Sequence, residues 1–172
     1  MHDNLKQFIR DVPDFPLPGI LFRDIAPLLE NGEAFQSALE HFHQMLKEEK
    51  IDKIVGIESR GFIFGSPLAS RLGVGFAMAR KQGKLPGEKI SICYDLEYGT
   101  NTIEMHSDSI SEGERILIID DVLATGGTAG ATISLVEQLG GKVVGLAFLI
   151  ELKSLKGRTS LPGHTVYNLL EY

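Results

Sequence analysis

The 172-residue chain sets 17 Lys and Arg against 23 Asp and Glu, a formal charge of -6, which speaks against broad nucleic-acid binding because that rests on basic clusters facing phosphates. With 43% apolar and 23% charged residues it has the composition of an ordinary globular domain, neither disordered nor fibrous. The single Cys93 excludes an internal disulfide, the five His residues show no zinc-ligand spacing, and a chain of this length buries roughly 70% of its unfolded surface without such staples.

The opening MHDNLKQFIR has no long apolar stretch of the signal-peptide kind, and the longest apolar run, 143–150, is far short of the roughly 18 residues of a membrane span. The expectation is one cytoplasmic domain over 1–172, with no membrane partner. In VPDFPLPG, residues 12–19, three prolines fix their own backbone angles and push their predecessors toward extended geometry, so residues 1–30 are expected to form an arm. From Glu33 to Lys47 the apolar residues recur at three and four, which predicts an amphipathic helix. Lys53 to Ile57 reads as a strand, ESRG as a turn, and Phe62 to Leu72 as a helix ending before Gly73. Arg80, Lys81 and Lys84 fall in what reads as a basic, glycine-containing turn, for which a solvated surface loop and a ligand contact remain equal readings.

Ser91 to Tyr94 and Thr102 to Met105 read as strands around the polar connection LEYGTN, a mobile hairpin spanning about 90–106. A second strand, loop and helix unit follows: Arg115 to Ile119, DDVLATGG, then helical spacing from Thr128 to Leu139, with 143–150 as the next strand. The tail TVYNLLEY suits either strand or helix. Continuously apolar strands alternating with helices predict an α/β fold around a mainly parallel sheet covered on both faces.

The segment ILIIDDVLATGGT carries the most chemistry. Gly126 and Gly127 allow a tight turn and close approach of the backbone to a ligand, while Thr125 and Thr128 add hydroxyls beside the free amides of a helix start, the makings of a phosphate cradle. Asp120 and Asp121 stand at the carboxyl end of a strand, where open α/β sheets bind ligands, and carboxylates accept hydrogen bonds well from vicinal sugar hydroxyls. Each piece alone is explained by capping and turn formation, but capping does not require two acids four residues before a glycine pair. A ribose 5-phosphate answers the whole arrangement. There is no GxxxxGK[ST] and no GxGxxG after a strand, and GIESRG is out of register for a GxSxG nucleophile elbow.

These residues resemble the ribose-phosphate signature of the type I phosphoribosyltransferases. DFPLPG, ILFRDI, GIESRGFIFG, RKQGKLPG, YDLEYG and ELKSLKGR, in that order, resemble the adenine-specific branch over nearly the whole chain. The resemblance implies that fold, with a small N-terminal hood and a flexible catalytic hairpin. It implies purine salvage by transfer from 5-phosphoribosyl 1-pyrophosphate to adenine, giving AMP and pyrophosphate, by a homodimer that uses magnesium held through the substrate pyrophosphate and not directly by the protein. It places the ribose hydroxyls on Asp120 and Asp121 and the 5-phosphate on Ala124, Thr125, Gly126, Gly127 and Thr128. Pyrophosphate falls to Ser59, Arg60 and Gly61, with Arg80, Lys81 and Lys84 beside it and Arg80 reaching the neighbouring subunit. Adenine falls to Leu21, Phe22 and Arg23, with Phe22 stacking on the ring. Glu97 handles the purine proton, Tyr98 helps close the site, and Arg60 stabilises the leaving group. A transferase for another purine base and a non-catalytic regulator that binds the sugar pyrophosphate stand as alternatives.

Overall fold

The computed structural model describes residues 3–95 and 99–172. In chain order the elements are α1 (Asp3–Lys6), β1 (Arg10–Pro13), β2 (Leu21–Asp24), α2 (Ala26–Glu30), α3 (Gly32–Leu46), β3 (Lys53–Ile57), α4 (Arg60–Leu72), β4 (Gly75–Lys81), β5 (Lys89–Asp95), β6 (Thr100–His106), β7 (Arg115–Leu123), α5 (Gly127–Gln138), β8 (Lys142–Glu151) and β9 (Val166–Glu171). Two short 3-10 turns, Lys153–Leu155 and Gly157–Ser160, lie between β8 and β9.

Seven strands form one sheet in the order β5-β6-β4-β3-β7-β8-β9. β4, β3, β7, β8 and β9 run parallel, and the β5–β6 hairpin is added antiparallel along β4. β7 shows why its sequence is apolar without alternation. Leu117 and Ile119 enter the core under α3 and α4, with Phe42, Phe64 and Leu68, whereas Ile116 and Ile118 enter the core under α5, with Leu135, Val136 and Phe148. A strand covered on both faces has no side left for polar residues until it leaves the core.

α3 begins where Asn31 Oδ1 accepts the Ala34 amide at 2.9 Å, a side-chain cap. The N-terminal arm is more ordered than an extended segment. β1 and β2 pair antiparallel, Arg10 Nε and Nη2 donate to Asp24 Oδ2 at 3.0 and 2.7 Å, and Asp24 Oδ1 accepts the Ala26 amide at 2.9 Å as α2 begins. The tail, ambiguous by pattern, is the edge strand β9. Arg80 and Lys81 are not in a turn: they end β4, and only Lys84 lies in the turn that follows. β7 extends through Leu123, so Asp120 and Asp121 belong to the strand itself.

Candidate active site

The carboxyl ends of β3 and β7 meet where α4 and α5 begin. β3 leads through Glu58 and Ser59, whose peptide is cis, into Arg60, the first residue of α4. The join presses on β7: a Cβ at Gly61 would stand 2.5 Å from Ile119 O, so only glycine fits the approach. Ser59 is the N-cap of α4 and makes no side-chain cap bond.

Arg60 stands at the centre of the site. Its Nε lies 2.7 Å from Asp121 Oδ2, and its guanidinium carbon is 5.3 Å from the centroid of the Phe22 ring. The ion pair is close, yet the N–H is not aimed at the oxygen: Asp121 Oδ2 is buried and accepts no hydrogen bond. Asp121 is 3% exposed, and Asp120 Oδ1 accepts the Asp121 amide at 2.8 Å. Burial and then the charge of Asp121 push the Asp120 carboxyl well above the usual carboxylate range. Burial raises Asp121 as well, against the pull of Arg60. Both acids are therefore harder to ionise here than free carboxylates, and hydroxyl donors from a sugar would offset the cost of their charge.

Asp120 faces a hollow of about 70 Å³ lined by Ala124, Thr125, Gly126, Gly127 and Thr128 and closed by Phe148. Gly126, at φ +88°, provides the turn from β7 into α5, and a side chain there would be strained and would meet Gly157 O at 2.6 Å. A wider pocket of about 180 Å³ adjoins it, with Asp120 and Thr128 in the shared wall and Glu58, Lys81, Tyr94 and Asn101 on the far side. The structure brings Asp120 and the whole 124–128 loop to one hollow. Asp121 it turns toward Arg60, and it is not among the residues lining either pocket.

Sequence reasoning passed over two residues here. Glu58 accepts Arg80 Nη2 at 2.9 Å, Arg80 Nε at 3.2 Å and the Lys81 amide at 2.9 Å, and the Arg80 bond is the main reason its carboxyl is held below the usual range. Tyr94 Oη accepts the Thr128 hydroxyl at 3.1 Å. Glu58 adjoins Ser59 in the ESRG turn, a signal that was available; Tyr94 meets Thr128 only through the fold. Arg80 is thus engaged within its own chain, and its Nη1 also donates to Lys84 O at 3.1 Å. Lys81 alone of the three basic residues lines the wider pocket.

Of the residues expected at adenine, Phe22 lies edge-to-face with Phe15, centroids 5.2 Å apart, and Leu21 is 45% exposed. Arg23 is drawn elsewhere: it pairs with Asp11, and its guanidinium sits 4.0 Å over the Tyr172 ring. Glu97 and Tyr98 lie outside the described residues. Among the described residues no three His, Cys, Asp or Glu side chains are grouped to hold a metal ion.

The phosphoribosyl transferase domain family matches residues 28–168. An adenine phosphoribosyltransferase of Carboxydothermus hydrogenoformans is 54% identical over 169 residues, covering 98% of this chain and 99% of the relative. The crystal structure of adenine phosphoribosyltransferase from Thermoanaerobacter pseudethanolicus, 48% identical, superposes over 100% of both chains with a TM-score of 0.98. That of the Saccharomyces cerevisiae enzyme, complexed with an imino-altritol bisphosphate and adenine, is 44% identical and covers 98% of each chain at a TM-score of 0.92. With a family match over residues 28–168 and similarity along its whole length, the chain belongs to the adenine phosphoribosyltransferase family of the phosphoribosyl transferase domain.

Proposed function

We infer that this chain transfers the phosphoribosyl group of 5-phosphoribosyl 1-pyrophosphate to adenine. The bond from the anomeric carbon to pyrophosphate breaks, a bond from that carbon to a ring nitrogen of adenine forms, and AMP and pyrophosphate leave. One observation carries the reading: Arg60 touches both the acid pair at Asp121 and the ring of Phe22, so the groups suited to leaving group, sugar and base converge on a single side chain.

Backbone amides of Ala124 to Thr128 at the start of α5 bind the 5-phosphate, where the helix terminus favours an anion. Asp120, which faces the hollow, accepts from the ribose hydroxyls, and Asp121 acts beside it by holding Arg60 in place. Arg60 and the amides of Ser59 and Gly61 receive the pyrophosphate, since a guanidinium grips phosphate oxygens with parallel bonds. Phe22 gives the purine a flat apolar face, with Leu21 and the backbone of Arg23 at its edge. Glu97, with Tyr98, takes the purine proton and closes the site against water, a role that rests on the YDLEYG resemblance. Positive charge builds at the anomeric carbon as pyrophosphate departs, and positioning with charge stabilisation carries the rate.

The donor set suits magnesium brought in by substrate: the acid pair is too small for a dedicated cage, and this ion keeps water and binds through one or two carboxylates plus phosphates. When bound, it would neutralise charge on the leaving pyrophosphate. The homodimer is supported by the exposed apolar side chains Ile63 on α4 and Met78 on β4, the latter two residues before Arg80. A cytoplasmic setting is supported by the exposed free thiol of Cys93, and no helix among the described residues is long and apolar enough to cross a membrane.

The test incubates the protein with phosphoribosyl pyrophosphate and magnesium against adenine, hypoxanthine, guanine, xanthine, orotate and uracil in turn. Pyrophosphate release is expected with adenine only; turnover of another base without adenine overturns the assignment, and binding without turnover of any base favours a regulator.

A further inference from the structure

We propose that the 3-10 turn Gly157–Ser160 is a buttress for the phosphate loop, with Ser160 as the positioning residue that fixes which way a loop amide points. The inference rests on reading Ala124 to Thr128 as the 5-phosphate cradle. Ser160 Oγ donates to Thr125 O at 2.9 Å, a contact between residues 35 apart in sequence. Gly157 lies against the same loop, since a Cβ on it would collide with Ala124 O, and its own carbonyl is where a Cβ on Gly126 would fall. The turn thus touches Ala124, Thr125 and Gly126, while none of its own residues lines the hollow.

It is also held rigidly from behind. Arg158 Nε donates to both oxygens of the buried Glu151 at 2.8 and 2.9 Å, Nη1 donates to Val166 O at 2.9 Å, and Nη2 reaches Glu151 and Asn168. Glu151 ends β8, while Val166 and Asn168 lie on β9. The Leu152 amide donates to Leu123 O at 2.9 Å, which ties the entry of the turn region to the exit of β7. The buttress is therefore part of the sheet's frame.

The consequence follows from the planarity of the peptide unit. In a trans peptide the carbonyl and the N–H point in opposite directions. Ser160 draws the Thr125 carbonyl away from the hollow, so the N–H of Gly126, in the same unit, is aimed to the other side, where Thr125, Gly126 and Gly127 line the cavity. Glycine accepts either sign of φ, so without the serine hydroxyl this peptide has a second orientation in which the carbonyl oxygen faces the phosphate. An anion binds only the first, and its apparent affinity falls with the fraction of loops that hold it.

Ser160→Ala tests this, because the side chain is exposed and its removal leaves the core intact. The expected result is a KM for phosphoribosyl pyrophosphate and a Kd for AMP raised several-fold, up to about ten-fold, with kcat and the KM for adenine at saturating sugar pyrophosphate unchanged. Thr128→Ala, measured alongside, separates the two readings. If Thr128→Ala loses affinity for AMP and Ser160→Ala does not, the buttress is overturned and the cradle stands. If neither variant loses affinity, the cradle reading fails and takes the buttress with it. If Ser160→Ala lowers kcat and adenine affinity along with AMP affinity, Ser160 is general scaffold and the positioning role is overturned.

Discussion

The two ends of the central strands β3 and β7 treat charge in opposite ways. At the amino ends, Asp52 accepts the Arg115 amide at 2.9 Å, Arg115 Nε at 2.8 Å and Nη2 at 2.6 Å, while Lys53 Nζ donates to Glu114 Oε2 at 2.8 Å and to Ser109 O at 2.7 Å. Each acid there has its own cation, and the bonds from Arg115 lower the Asp52 carboxyl to about 2. At the carboxyl ends, Asp120 and Asp121 share one guanidinium, and a buried oxygen of Asp121 accepts nothing. Matched pairs are what stability alone selects; a buried acid pair left short of partners is a cost that a ligand removes. The contrast marks the carboxyl ends as the place where a ligand would relieve a cost.

Neutralising the unmatched end should give the largest effect. Asp120→Asn removes a charge-assisted acceptor for the ribose hydroxyls, worth about 1.5–3 kcal/mol, so affinity for phosphoribosyl pyrophosphate should fall about ten- to a hundred-fold by calorimetric titration while the melting temperature holds or rises. Intact affinity would end the ribose assignment. Phe22→Leu, at the same end, should raise the KM for adenine by about two- to ten-fold, the loss of roughly 0.5–1.5 kcal/mol of aromatic contact, and should leave the KM for the sugar pyrophosphate alone. Equal shifts in both constants would show that Phe22 merely holds Arg60.

Melting curves taken against pH sharpen the comparison, because the two ends have opposite signs. Asp52 is depressed in the fold, so its contribution is present above its ordinary 3.8 and is lost as pH falls through about 2; Asp52→Asn should flatten that acid limb. Asp120 and Asp121 are raised, so the fold is favoured while they are protonated and that advantage is lost as pH rises through their folded values. Asp120→Asn should therefore gain on wild type as pH rises. The smallest effect belongs to Asp52→Asn at neutral pH, where kcat/KM should stay within about two-fold, as expected of a surface pair remote from the site.

What the sequence made legible was whatever is written in consecutive residues. The apolar run of β7, the acids after it and the glycine turn are contiguous, so both the parallel sheet and the hollow at its edge could be read directly. β4 was not, since its inward residues Ala77 and Ala79 are too small to stand out by hydropathy and its pairing with β3 is set by a partner elsewhere. Without β4, Arg80 and Lys81 read as part of the turn that follows it. Pairings such as Tyr94 with Thr128, or Arg23 with Tyr172, join distant segments and leave no local pattern. Asp121 is subtler: its type and position were evident, but the pleat that turns it toward Arg60 and not into the hollow shows only in three dimensions.

The stacking of Arg23 and Lys6 on Tyr172, together with the packing of α1 on β9, has a consequence for biosynthesis. The hood that carries Phe22 is translated before the central sheet, whereas the ring and strand it docks on, Tyr172 and β9, come long after it. Until then Phe15, Leu17, Ile20 and Leu21, already largely exposed in the finished molecule, have no frame to lean on. During synthesis the hood therefore waits for the same late segment, residues 157 onward, that frames the phosphate loop from behind.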